Sequence, residues 1–193
     1  MTPEPSREFH YPPDKSGANA RADRYGVVAI VLHWLIAALI FTLFGIGWYM
    51  GSLPDGPDRS WFIALHKSLG LTVLGLVVLR LAWRLSHPPP PFPRTLPSWE
   101  RLAAVMNHRI LYLLMFIQPI SGYLSSSFSG YKTRYFGIPL PHWGWKDEAL
   151  NTFFNTIHVV DAYLLFALVT LHVLAALRHL LILRDRIFQR ILP

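Results

Sequence analysis

Residues 155–179 read NTIHVVDAYLLFALVTLHVLAALRH, an apolar run that nevertheless carries three histidines. His158 and His172 stand fourteen positions apart. Fourteen residues of α-helix rise about 21 Å and complete close to four turns, so both rings leave the same face. A single oily helix therefore presents one imidazole near each of its ends. The remainder of the chain must supply the reason.

A bilayer core about 30 Å thick is crossed by ~20 apolar residues in a helix, and four segments have that length, at roughly 27–50, 62–83, 106–127 and 152–182. Gly51-Ser52-Leu53-Pro54-Asp55-Gly56-Pro57 separates the first two, and the four prolines Pro88 to Pro91 end the second, since no helix survives such a run. The third break, Ser125 to Leu150, is rich in aromatic residues, among them Tyr131, Tyr135, Phe136, Trp143 and Trp145. Aromatic residues at the edge of a span mark the membrane interface. The fold expected is an all-α, up-down four-helix membrane bundle in contact with lipid.

Composition agrees. The 193 residues are 52% hydrophobic and 15% charged, with mean hydropathy +0.32, whereas soluble domains carry about 25% charged residues. The net charge of +7 does not point to nucleic acid, because the basic residues never form one contiguous stripe; basic clusters beside apolar runs face lipid headgroups. There is no cysteine, which excludes disulfides, thiolate metal sites, iron–sulfur ligation and thioether-attached haem. Residues 1–24 are polar and proline-containing and read as a disordered cytoplasmic tail. The first apolar run is too long for a cleaved signal, so residues 25–193 form a single membrane domain.

Lys and Arg set the orientation. The tail, the loop after the second span and the C-terminal end hold thirteen, including Arg80, Arg84, Arg94, Arg101, Arg109 and Arg178. The other two loops and their flanks hold five: Arg59, Lys67, Lys132, Arg134 and Lys146. The imbalance places both termini in the cytoplasm.

Of the nine histidines, His10, His87 and His142 lie in the tail or loops, and His108 and His179 are read near cytoplasmic helix ends. His33, His66, His158 and His172 lie inside spans, where ionisable groups are costly and mark function. Depth pairs them. Helix one rises from the cytoplasm and helix four descends, so His33 and His172 share an inner level; His66 and His158 each lie about 8–9 Å below the outer end of their helices. A bare zinc ion would want further ligands and carboxylates, and Asp161 alone is available at depth. A porphyrin needs two axial ligands and flat room beside them. Four positions after each intramembrane histidine stand Ala37, Gly70, Ala162 and Ala176, small residues one turn away on the same face. At the same offset His87, His108, His142 and His179 have Pro91, Tyr112, Lys146 and Leu183. The pattern favours two haems, with His158 and His172 as one axial ligand each.

Three other features admit two readings. Arg80, near the cytoplasmic end of the second span, is either a snorkelling anchor or a partner for a haem propionate, since arginine recognises carboxylate bidentately. Asp161 either orients a ligand or relays a proton, or else bonds the outer aromatic loop. Lys67, Lys132, Arg134 and Lys146 are either lipid anchors or draw an anion toward the outer site.

In YGVVAIVLHWL, in IALHKSLG leading to LRLAWRL and a proline loop, in the HxxxYLL segment His108–Leu114 with Pro119, and in IHVVDAYLLFALVTLH, the chain resembles the bacterial cytochrome b561 family. The resemblance covers nearly everything after the tail. It implies a small di-haem cytochrome of the inner membrane, with b-type haem held by His33 with His172 and by His66 with His158. It implies electron exchange with the quinone pool, and the family's best-described activity, oxidation of periplasmic superoxide with reduction of ubiquinone. A second reading is a non-catalytic cytochrome subunit that connects a periplasmic dehydrogenase or other redox protein to quinone. A histidine-lined metal transporter is disfavoured, for nothing here resembles broken helices or a carboxylate-rich path.

Overall fold

A computed structural model describes residues 24–93 and 96–192; the expected tail, apart from Arg24, lies outside the described residues, as does Arg94. Four long helices dominate: α1 (Val27–Ser52), α2 (Pro57–Ser86), α3 (Ser98–Phe128) and α4 (Glu148–Leu177). All four are long and apolar enough to cross a membrane. Their large apolar side chains face outward: Phe41, Trp61, Val160 and Leu174 are all exposed, and in a bilayer that surface meets lipid.

The helix ends follow local chemistry. Leu53, extended at φ −80° and ψ 142°, precedes Pro54, which disfavours helical backbone in the residue before it. α2 opens with Pro57 at its start and Asp58 in its first turn, both suited to the donor-rich end of a helix. The Asp147 side chain accepts from the Leu150 amide at 3.0 Å and caps α4. Three helices, α2, α3 and α4, begin earlier than expected, because their polar first turns (Asp58, Glu100 and Glu148 among them) continue the helix ahead of the apolar stretch that was counted. The largest extension is at α3, which begins eight residues before the expected 106.

Past α4 the chain widens into a π-helical turn, Arg178–Leu183, reverses at Arg184 with φ 51°, and forms a short 3-10 turn at Phe188–Ile191. This strap returns to the start of α1. The Trp34 indole donates to the Ile191 carbonyl at 2.9 Å, and the Tyr25 amide to that of Arg190 at 3.1 Å. Arg178 and His179 meet Glu100 on α3, and His179 also meets Asp185 at 2.6 Å. Both described ends of the chain thus lie at one end of the bundle, called here the terminal side.

The opposite, loop side is roofed by residues 129–147. Their two-stranded hairpin, β1 (Arg134–Tyr135) with β2 (Ile138–Pro139), turns through Phe136 and Gly137 at φ 45° and 89°. Positive φ at both central residues is what a tight hairpin requires. The roof is bonded to α2: the Phe136 amide donates to Ser68 Oγ at 3.0 Å, and Tyr135 Oη lies 3.1 Å from Thr72 Oγ1.

Inside the bundle α3 packs closely on α4, α1 on α2, and α2 on α3, while α4 stands farther from α1 and α2 and meets α1 through Phe166 against Phe44 and Trp48. Two apolar clusters fill its middle. Ile36, Ile40, Val73 and Val77 join α1 to α2, and Leu111, Leu114 and Leu165 join α3 to α4; Phe44 and Met115 pack against both. Leu165 lies midway between His158 and His172, so the clusters form a septum between two levels of the bundle.

Candidate functional site

The four intramembrane histidines meet across the helix pairs that stand apart. His33 on α1 faces His172 on α4 with ring centroids 6.2 Å apart and planes at 61°. His66 on α2 faces His158 on α4, also at 6.2 Å, with planes at 81°. A metal–imidazole bond is about 2 Å, so two rings ligating one metal from opposite sides have centroids about 6 Å apart. Each pair has that separation. Among the described residues no group of three His, Cys, Asp or Glu is arranged to hold a bare ion. Two facing imidazoles suit a metal that brings its own equatorial donors.

The surroundings of the loop-side pair fit such a group. His66 and His158 border a cavity of about 480 Å³ whose walls include Gly70 and Ala162. A Cβ added to Gly70 would meet nothing within 4 Å, so the expected small residues do stand beside open space. Two further glycines, on other helices, were not anticipated. A Cβ at Gly122 on α3 would come within 2.9 Å of the His158 ring, and one at Gly47 on α1 within 3.5 Å of His66. Their role depends on which helix lies opposite, although a glycine within a helix costs about 1 kcal/mol relative to alanine and so signals a need. The His158 Nδ1 lies 2.8 Å from the Gln118 carbonyl; a proton donated there leaves the Nε2 lone pair for a ligand role. The His66 Nδ1 is buried without a partner.

On the terminal side a third histidine joins the pair. The His108 ring lies 5.2 Å from that of His172, and its Nδ1 lies 2.6 Å from the Ala104 carbonyl. The reading of His108 as a helix-end residue is therefore corrected: with α3 starting at Ser98, His108 is about 15 Å inside the helix. Its place in the HxxxYLL segment was the available signal. Ala37 and Ala176 are half-buried. Arg80 turns inward, donating to the Ala29 carbonyl at 2.7 Å and approaching His33 Nδ1 at 3.4 Å, while Arg84 lies 6.0 Å over the Tyr112 ring.

Other residues fall differently. Asp161 is buried, its Oδ2 has no partner, and no hydrogen bond joins it to the loop among the described residues. Lys132, Arg134 and Lys146 are exposed on the roof. Lys67 is separate from them: it points into the bundle, its Nζ donating to Ser126 Oγ at 2.7 Å.

Residues 24–193 match the sequence profile of the prokaryotic cytochrome b561 family. The chain belongs to that family. It is 35% identical over 184 residues to cytochrome b561 homolog 2 of Escherichia coli (strain K12), covering 88% of this chain and 92% of the relative. Over 174 residues it is 30% identical to the Yersinia pestis protein named probable superoxide oxidase CybB, covering 88% and 96%. Cytochrome b561 homolog 1 of E. coli is 23% identical over 172 residues, covering 89% and 98%. Cytochromes b561 bind b-type haem, and this member, with its four membrane-spanning helices, is a multi-pass protein of the bacterial inner membrane.

Proposed function

We propose that this cytochrome b561 carries electrons across the membrane through two b-type haems, from periplasmic superoxide to ubiquinone, with both termini in the cytoplasm. The observation that supports this most is the repeated 6.2 Å histidine pair, once on each side of the apolar septum. His66 and His158 hold the periplasmic haem, and His33 and His172 the cytoplasmic one. Arg80, turned inward beside His33, meets a propionate of the latter in this reading. A haem held between two histidines would supply a one-electron couple suited to electron transfer rather than oxygen binding. The septum of Leu111, Leu114 and Leu165 keeps water from the path between the levels. Lys132, Arg134 and Lys146 give the periplasmic roof a positive field that attracts an anion.

The reaction balances as two superoxide anions oxidised to dioxygen while one ubiquinone takes up two electrons and two protons to become ubiquinol. The Yersinia relative's name agrees with the donor, and the Lys and Arg distribution agrees with the orientation. Purified protein tests the reading. Superoxide should reduce both haems rapidly, and added ubiquinone should reoxidise them. Haems that stay oxidised under superoxide but are reduced by a co-purifying dehydrogenase would replace this reading with that of an electron-transfer subunit.

A further inference from the structure

The loop-side cavity has two unlike ends. Toward the septum its walls are Phe44, Met115 and Phe166; toward the roof they are Lys67, Ser126, Thr133 and Asn151. Lys67 directly follows His66, and its ammonium group bonds to Ser126, whose hydroxyl lies 2.8 Å from that of Thr133. Ser126 and Thr133 are buried. Among the described residues no carboxylate lies in ion-pair range of Lys67. An ammonium group has three donors, and a charge drawn into a bundle with hydroxyl partners alone is poorly compensated. The missing partner is an anion.

We propose that Lys67, supported by Ser126 and Thr133, is the carboxylate-binding site of this cavity and takes a propionate of the haem held by His66 and His158. A porphyrin matches the cavity end for end, with an apolar macrocycle toward the septum and two carboxylates along one edge toward the roof. An ammonium–carboxylate hydrogen bond is stronger than a neutral one. The site rests on the two-haem reading above. The other source of anionic oxygen at this place is superoxide itself, and the experiment separates the two.

Full-length protein in detergent is loaded with haem or with haem dimethyl ester. Loss to an apomyoglobin scavenger is followed at the loop-side site by its own spectrum, with the terminal-side haem as internal reference in the samples loaded with unmodified haem. Lys67→Met with haem, and wild type with the ester, should each release the loop-side group about tenfold faster. Adding Lys67→Met to the ester-loaded protein should change nothing further, because the ester has already removed the interaction that the substitution removes. Lys67→Arg should restore retention to within about twofold of wild type, as guanidinium also binds carboxylate. Unchanged retention in both single tests, or losses that multiply when combined, overturns the proposal. So does a Lys67→Met protein that keeps its haem while consuming superoxide slowly, which assigns the ammonium group to the substrate anion. The ester arm needs no substitution, so misfolding of a variant cannot decide the matter. A wild-type protein with no haem on His66 and His158 overturns the two-haem reading itself, and does so before any variant is made.

Discussion

The two ends of the bundle share one ligand spacing and little else. On the terminal side the pair sits with a third histidine, His108, and two arginines, Arg80 and Arg84, behind a C-terminal strap anchored through Trp34. On the loop side the pair has one inward lysine, several hydroxyls and two close glycines, beneath a hairpin roof. The helix repeat accounts for what is common, since α4 delivers both rings. What differs comes from the helices opposite. On the two-haem reading, ligation is thereby separated from the surroundings that would tune it, by charge, hydrogen bonding and burial.

The comparison breaks most decisively at the ligands. Replacing His66 or His158 with alanine should remove the loop-side haem and halve the haem per chain, and replacing His33 or His172 should remove the other. Acid–solvent extraction and difference spectra of the four variants would show it. Loss of one common haem from all four would end the two-site reading.

Glycine substitutions come next. Gly122→Val should displace His158 and sharply lower loop-side occupancy, at a cost of about 1–3 kcal/mol for overpacking. Gly47→Ala should be tolerated, because 3.5 Å is ordinary contact. Gly70→Leu, which projects into the cavity, should fall between them. Equal occupancy in all three would mean that the cavity does not hold the porphyrin. Thermal melts followed in the haem band distinguish lost occupancy from general unfolding.

A smaller effect is expected from His108→Phe: both haems retained, with an altered spectrum confined to the terminal-side group. A change in the loop-side spectrum instead would show that the septum does not isolate the levels. The smallest effect belongs to the roof. Neutralising Lys132, Arg134 and Lys146 together should slow haem reduction by superoxide about two- to threefold at low ionic strength, and the difference should fade at physiological salt, where the screening length is about 8 Å.

How far these features could be read in advance depended on how local their causes are. The four spans followed from apolar length. The histidine pairs followed from helical rise, because a ring's level depends only on its distance from its own helix end. That same logic misplaced His108, since Glu100 and Arg101 hid the true start of α3 from a count of apolar residues. Gly47 and Gly122 were beyond reach for a different reason: each matters through a ring on another helix. The hairpin at Phe136 was hidden because a phenylalanine gives little warning of left-handed backbone. Lys67 appeared as one of four outer cations, and only the packing of α2 against α3 turned it inward.

The sparser seam of α4 with α1 and α2 has a consequence for stability. α1 with α2 and α3 with α4 form two helical hairpins that adhere through their own side chains, and the α2–α3 seam joins them. α4 meets the first hairpin at fewer places: Phe166 packs against Phe44 and Trp48, and the strap that follows α4 bonds Trp34. On the two-haem reading each prosthetic group bridges this sparser seam, one joining α4 to α1 and the other α4 to α2, so haem loading should raise the melting temperature of the bundle as well as supply its redox centres.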